Sequence, residues 1–418
     1  MKMSVLVWEY PPRIVGGLGT YAAEITRKFV LTDNDVTVFT MNDDAGTLPT
    51  REIWHGIEIH RPLHIDISDS LPDVIAEDIR KWGMGEGLHF FSKILIYNYL
   101  SASKLVNELI RKENIKYDVV VAHDWLSAIG GITVKKEIGL PFAFHVHSTE
   151  KGRTLGNGSE VKSNIELHAA KAADMIVTVS YAMKEELTNL GFPKEKIQVC
   201  YNGVDAQKYN PQEVAIEQKK KIRNLYDVKD DETMILFIGR LAGVKGVDKL
   251  IMAMPHILQK LPKAKLVILG LGDLQEYLTN LVNYMGLGNN VKFRFEFLPE
   301  EERILHYAAC DIAVFPSHYE PFGIVVLEAM SMEKPVVVGA AGVSGMREIV
   351  ICYGEDQCGF HIDPSNPTDI AWGITSALES PEKMKWLGKN GRRRVLEEFT
   401  WDKIAEKTLR LYEQLEKH

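Results

Sequence analysis

A chain of 418 residues is too long for one compact core, so two domains of roughly 200 residues each are expected. Its 45% hydrophobic and 25% charged residues are those of an ordinary soluble globular protein, and a net charge of −8 argues against an extended nucleic-acid footprint while leaving room for a local basic pocket around phosphates. No stretch approaches the length of an integral membrane segment, and Cys200, Cys310, Cys352 and Cys358 show neither CxxC spacing nor a paired-histidine pattern, which reads them as buried free thiols rather than zinc or redox groups.

From the N-terminus, residues 4–7 form a short strand-like run that leads to the polar Glu9 and lacks the form of a signal peptide, so a cytoplasmic chain is expected. Beyond it, short β-rich runs alternate with longer helical patterns, the sign of βαβ units and parallel sheets. In the first half the strand candidates are 4–7, 36–40, 118–122, 141–146 and 174–179, with helices such as 20–31 and 160–172 between them. The apolar, aromatic segment 87–99 reads as a core helix; a peripheral membrane helix is the alternative, and few basic residues lie on its polar side. Residues 210–231 are charged, contain Pro211 and carry the run Lys219-Lys220-Lys221, which reads as a solvated helix face and places the domain boundary nearby. Strand candidates restart at 234–238, 265–269, 291–295, 311–315 and 335–338, and Thr400 caps a final amphipathic helix. The expectation is α/β, two doubly wound parallel sheets, divided as 1–206, 207–398 and a terminal helix within 399–418.

Several candidate site segments lie at the carboxyl ends of these strands, where open α/β sheets bind ligands. Gly16-Gly17-Leu18-Gly19 after the first strand lets backbone approach a phosphate without a Cβ in the way, and a helix start supplies N–H groups. A dinucleotide loop is the rival there, but the spacing is not G-x-G-x-x-G. His123-Asp124-Trp125 pairs an acidic group with an aromatic, either to contact a sugar or as a buried Trp at a helix start. His145 and His147 share one side of a strand, with a site histidine or a core histidine as the two readings for each. The glycine-rich loop 151–158 holds Arg153, which suits an anionic acceptor or a plain surface position. Asn202-Gly203-Val204-Asp205 reads as a structural turn.

In the second half, Gly239-Arg240-Leu241-Ala242-Gly243-Val244-Lys245-Gly246 puts two cations on one loop at a sheet edge. Gly270-Leu271-Gly272-Asp273 is another crevice loop, with Phe297 and Leu298 as candidate walls for a base. The most informative run is Tyr319-Glu320-Pro321-Phe322-Gly323-Ile324 through Glu328, where a strand turns into a helix and two carboxylates stand eight residues apart. Glu320 enters from the loop and Glu328 from the helix, so the pair can touch two parts of one ligand. Residues 340–345 read as helix entry.

This run resembles the Glu-x7-Glu signature of the retaining nucleotide-sugar glycosyltransferases of group 1, built on the GT-B architecture of two Rossmann-like domains facing across a cleft. The resemblance spans essentially the whole chain, and Arg240-x4-Lys245 is its second mark. It implies that Arg240 and Lys245 hold the diphosphate, that Glu320 and His147 position the donor sugar, and that Glu328 holds the ribose. It also implies that Gly17 and Gly19 face the diphosphate from the other domain and that Gly239, Gly272, Leu298, Phe322, Gly323 and Ile324 line the nucleotide. Asp124, Trp125 and Arg153 are the acceptor-side candidates. The terminal helix commonly crosses back to the first domain in this family.

His123-Asp124-Trp125 resembles bacterial and archaeal glycogen and starch synthases, although those usually carry a lysine where this chain has Ile14, beside Arg13. Glu9-Tyr10-Pro11-Pro12 is closer to the broader group that includes maltose-1-phosphate synthases. The implied reaction is hexose transfer, with glucose as the leading sugar, from a nucleotide diphosphate sugar to a glucan, or to a small acceptor such as a sugar phosphate, a solute or a lipid-linked glycan. The nucleotide sugar is a co-substrate, with no metal and no further cofactor expected. Rivals are a sugar-nucleotide epimerase and a binding protein that closes on a nucleotide sugar without turnover. A phosphorylase-like reading lacks an evident pyridoxal phosphate lysine.

Overall fold

The computed structural model describes residues 1–14, 16–43, 45–67 and 86–415. Apolar runs too short for helices become strands buried on both faces, as parallel sheets require. The first sheet contains β1 (Lys2–Leu6), β2 (Asp35–Phe39), β3 (Arg51–Trp54), β4 (Ile57–His60), β5 (Val119–His123), β6 (Phe142–Val146), β7 (Met175–Thr178) and β8 (Ile197–Val199). Its order is β3-β4-β2-β1-β5-β6-β7-β8, and only the β3–β4 pair is antiparallel. That hairpin was not expected from sequence. His55 and Gly56 join it, both at positive φ (51° and 79°), the two-residue turn that matches strand twist.

The second sheet contains β9 (Thr233–Ile238), β10 (Ala264–Leu269), β11 (Val291–Arg294), β12 (Ile312–Phe315), β13 (Val336–Gly339) and β14 (Gly359–Ile362), all parallel in the order β11-β10-β9-β12-β13-β14. Counted within this unit, that is the 3-2-1-4-5-6 order of doubly wound nucleotide-binding sheets, and the chain direction of the winding reverses between β9 and β12. The helix Val247–Lys260 covers the sheet with Val247, Leu250, Ile251, Met254 and Ile257 buried, the stripe a 3.6-residue period produces. β8 and β14, which the sequence reading also left out, are short edge strands of three and four residues.

The chain forms two compact units. The first takes Met1–Val179, Lys184–Tyr201 and everything from Trp401 onward; the second takes Ser180–Met183 and Asn202–Thr400. In the first unit the terminal helix Trp401–Tyr412 lies on the helix Gly17–Leu31, with Trp401 edge-on to Tyr21 at 5.8 Å and Tyr412 edge-on to Phe29 at 6.1 Å. The helix Glu86–Ser103 buries Phe91, Ile94 and Tyr97, as a core helix does, while Phe90 and Tyr99 stay exposed. Among the described residues no helix is long and apolar enough to cross a membrane. All four cysteines are free, and Cys352 alone of them is partly exposed.

The first unit also buries a titratable group. Glu166, in the helix Glu160–Ala172, accepts a hydrogen bond from the Glu150 N–H at 2.9 Å and stands 3.9 Å from the Arg153 guanidinium. Burial pushes its carboxyl up to about 8 against the pull of Arg153. A group with a raised folded pKa contributes stability that is fully present below its ordinary 4.5 and is lost as pH rises through about 8. Glu166→Gln is therefore expected to match the wild type in thermal midpoint near pH 4.5 and to gain on it progressively up to pH 8. A difference that stays flat over this window in parallel thermal melts refutes the assignment.

In the second unit, Gly246 has φ +65°, and a Cβ there would lie 2.1 Å from the Pro316 carbonyl oxygen. Gly246→Ala is expected to lower unfolding free energy by about 2 kcal/mol or more in urea titration, through both the left-handed backbone and the clash. An unchanged urea midpoint would mean that the two loops do not abut.

Candidate active site

In the second unit the site grows from the split between β9 and β12. The loop leaving β9 carries Arg240, whose exposed side chain has no partner among the described residues, and then a short turn Gly243–Lys245. Lys245 Nζ meets Glu320 Oε2 at 2.5 Å, an ion pair with side chains 23% and 13% exposed. Ser317 Oγ also donates to Glu320 Oε2, at 3.5 Å. Glu320 is held at its backbone as well: its N–H donates to Val343 O at 3.0 Å and its carbonyl accepts from Gly345 N at 2.9 Å. The segment read as helix entry, 340–345, thus clamps the first carboxylate of the pair.

Gly323, at φ +104°, turns the chain into the helix Ile324–Ser331, and a Cβ there would sit 2.8 Å from Met346 Cγ. One turn into this helix, Glu328 is 4% exposed. Its Oε1 accepts from Tyr209 Oη at 2.9 Å and from an Arg303 guanidinium nitrogen at 3.3 Å, and its Oε2 accepts from Tyr307 Oη at 2.9 Å. The other terminal nitrogen of Arg303 donates to Leu298 O at 3.3 Å. Burial acts to lower the Arg303 pKa, but Glu328 and the two phenols outweigh it and the guanidinium is held above its ordinary value. Burial, reinforced by Glu328, pushes both phenols well up, so they serve as donors.

The remaining second-unit candidates divide by role. Gly239 directly follows β9, and Leu298 is buried beside exposed Phe297. Gly272 is explained by packing, since a Cβ there would lie 2.2 Å from Leu241 O. Phe322 is 2% exposed, and its ring packs at 6.2 Å from Phe399. Ile324 opens the helix that carries Glu328.

In the first unit the helix begins at Gly17, not near Thr20, with Gly16 as its cap and the Gly16 N–H donating to Glu9 Oε2 at 2.9 Å. Gly17 is exposed and Gly19 is buried against Glu9 and Ile14. At the end of β5, Asp124 adopts φ +53° and its Oδ1 accepts from the His147 N–H at 2.7 Å. An Asp tolerates this left-handed conformation better than most residues. His123 Nδ1 and His147 Nε2 share a hydrogen bond of 3.0 Å, and Tyr21 stands edge-on to His147 at 4.7 Å. His145 Nε2 bonds Tyr412 Oη at 2.7 Å and is buried, which makes it the core histidine of the pair.

Burial lowers the pKa of all three imidazoles, so they are neutral near pH 7. Their ligand atoms lie within 4.8 Å of one another, near enough to hold a metal ion, although hydrogen bonds to each other and to Tyr412 already engage each ring.

Two acceptor-side expectations change. Trp125 is 3% exposed, inside a cluster with Trp8, Met41, Ile94 and Tyr97, and Lys162 Nζ lies 5.4 Å over its ring. The indole is core, and the alternative of a buried Trp at a helix start is the one realised. Arg153 donates to Ser148 Oγ at 2.7 Å and to Glu150 Oε2 at 3.3 Å, so it braces its own loop. Sequence reading missed Tyr209, Arg303, Tyr307 and the His123–His147 bond. No local pattern signals the first three, because they lie 119, 25 and 21 residues from Glu328.

Two family models cover these units: Glycosyltransferase Family 4 over residues 15–208 and Glycosyl transferases group 1 over residues 218–394. An uncharacterized glycosyltransferase of Methanocaldococcus jannaschii is 34% identical across 99% of this chain and 98% of its own length. A glycogen synthase of Mycobacterium tuberculosis is 27% identical across 99% and 94%, and an alpha-maltose-1-phosphate synthase of Mycolicibacterium smegmatis is 27% identical across 99% and 100%. Among solved structures, sucrose-phosphate synthase from Thermosynechococcus elongatus superposes with a TM-score of 0.76 at 22% identity, covering 99% of this chain and 98% of that one. An Anabaena protein solved in complex with UDP-glucose gives 0.73 at 20% identity, covering 99% and 100%. With both units matched in turn, and a relative of 34% identity aligned end to end, the chain belongs to the group 1 glycosyltransferases of the GT-B fold.

Proposed function

We propose that this protein is a retaining hexosyltransferase that takes a hexose, with glucose as the leading sugar, from a nucleotide diphosphate sugar and passes it to a hydroxyl acceptor. The observation that carries the reading is the Lys245–Glu320 ion pair at the β9–β12 split, with Arg240 on the same loop and Glu328 one helix further on. As the bond from the anomeric carbon to the diphosphate breaks, negative charge grows on the leaving phosphate oxygen and positive charge on the sugar. Cations fixed before the reaction stabilise the first, and a carboxylate placed at the sugar suits the second. On this reading Lys245 and Arg240 take the diphosphate, Glu320 positions the sugar and Glu328 holds the ribose. The assignment of His147 to the donor sugar rests on the family resemblance.

For the acceptor, a glucan is favoured by the similarity to a glycogen synthase. A small sugar phosphate is the second reading, favoured by the similarity to a maltose-1-phosphate synthase and by the burial of Trp125, which removes the aromatic platform a glucan chain would stack on.

The test measures nucleoside diphosphate release from ADP-, UDP- and GDP-glucose, each with glycogen, maltooligosaccharide or glucose 1-phosphate as acceptor. Release with at least one pairing is expected, with an α-linked product by NMR and a loss of about 10²-fold or more in Lys245→Ala and Glu320→Ala. No release under any pairing, or release without glycosylated product, overturns the transferase reading.

A further inference from the structure

The Glu328 carboxylate is held by three donors, and they come from two separate places in the second unit. Tyr209 lies seven residues after Asn202, where the unit's long stretch begins, whereas Arg303 and Tyr307 share one face of the helix Glu300–Ala309, one turn apart. A carboxylate offers about four lone-pair directions. Tyr209 and Arg303 occupy both on Oε1 and Tyr307 occupies one on Oε2, which leaves a single acceptor direction on Oε2. Tyr307 Oη also lies 3.3 Å from the Val325 carbonyl, one helical turn before Glu328, so the phenol sits against the start of the same helix while its single proton goes to Glu328. Arg303 reaches in the other direction to the Leu298 carbonyl, in the loop that borders the candidate base wall.

We propose that Tyr307, Tyr209 and Arg303 are positioning residues for the nucleoside half of the donor: the two phenols and the guanidinium lock Glu328 in one rotamer with one free acceptor direction, and Arg303 couples it to the Leu298 backbone. The inference rests on the reading that Glu328 meets the ribose. A carboxylate free to rotate would have to be ordered at each binding event, and a carboxylate already locked avoids that cost. The lock acts on the ribose and base and not on the diphosphate, whose cations lie on the β9 loop. Loosening it therefore weakens binding of substrate and transition state alike and appears in KM rather than kcat.

The experiment titrates wild type, Tyr307→Phe, Tyr209→Phe and Arg303→Lys with UDP, ADP, GDP and inorganic pyrophosphate by calorimetry, and measures donor KM and kcat on the same preparations. Each Tyr→Phe change removes one hydroxyl and keeps the ring, so those two variants decide the matter even where Arg303→Lys fails to fold. Expected are a roughly tenfold weaker affinity for the preferred nucleoside diphosphate, a matching rise in donor KM, a kcat within about threefold of wild type, and unchanged pyrophosphate affinity. Nucleoside diphosphate affinity unchanged in both Phe variants overturns the proposal. So does a parallel loss of pyrophosphate affinity, which marks general loosening of the unit. Wild type that binds pyrophosphate but no nucleoside diphosphate removes the underlying transferase reading and this inference with it.

Discussion

Backbone packed directly on backbone, with no side chain between, is the constraint on which the second unit's chemistry depends. Around the candidate site a Cβ at Gly246 would strike Pro316 O, at Gly270 Gly239 O, at Gly272 Leu241 O, and at Gly345 Pro321 O, all at 2.0–2.2 Å. Hydrogen bonds run along the same seams, from His318 N to Val244 O at 2.8 Å and from Leu241 N to Leu271 O at 2.8 Å. The loops after β9, β10, β12 and β13 are thereby fused into one rigid rim. Lys245 and Glu320 can meet because their loops already touch.

That rim supports charge at graded depth. Arg240 is exposed, Lys245 and Glu320 are partly buried and paired, and Glu328 is buried with three donors. Removing a partner from a buried charge costs far more than a surface pair contributes, so the deeper members of this series are also the ones most committed to a single geometry. In the first unit the corresponding place is held by neutral groups: three imidazoles, two of them joined by a hydrogen bond, beside an Asp in left-handed backbone that is spent on the His147 N–H.

Much of this was legible in the sequence, for a physical reason. Strands buried on both faces must be continuously apolar, so 118–122, 234–238 and 311–315 announce themselves, and the loops that follow them inherit the positions of Arg240, Lys245, Glu320 and Glu328. Contacts made by residues distant in sequence carry no such mark. Tyr209, Arg303 and Tyr307 look like ordinary helix and connector residues until the fold brings them to Glu328. Trp125 shows the opposite error, since an aromatic beside an acid reads equally as a sugar platform or as core, and only packing against Trp8 and Tyr97 separates the two. The hairpin of β3 and β4 escaped because alternating polar residues at a sheet edge give a weaker signal than a buried run.

The division of the chain has a consequence for synthesis on the ribosome. The second unit is almost wholly one uninterrupted stretch, 202–400, whereas the first is completed by the helix Trp401–Tyr412. Ile404, Ala405 and Tyr412 belong to the first unit's core, and His145 and Cys200 find their partners in Tyr412 and Thr408. The part made first is therefore finished last: its core stays open, with a buried histidine and thiol unpartnered, until nearly 200 further residues have been translated. The second unit, by contrast, holds its sheet and the loops of the candidate site within its own span, and can close while the first is still waiting.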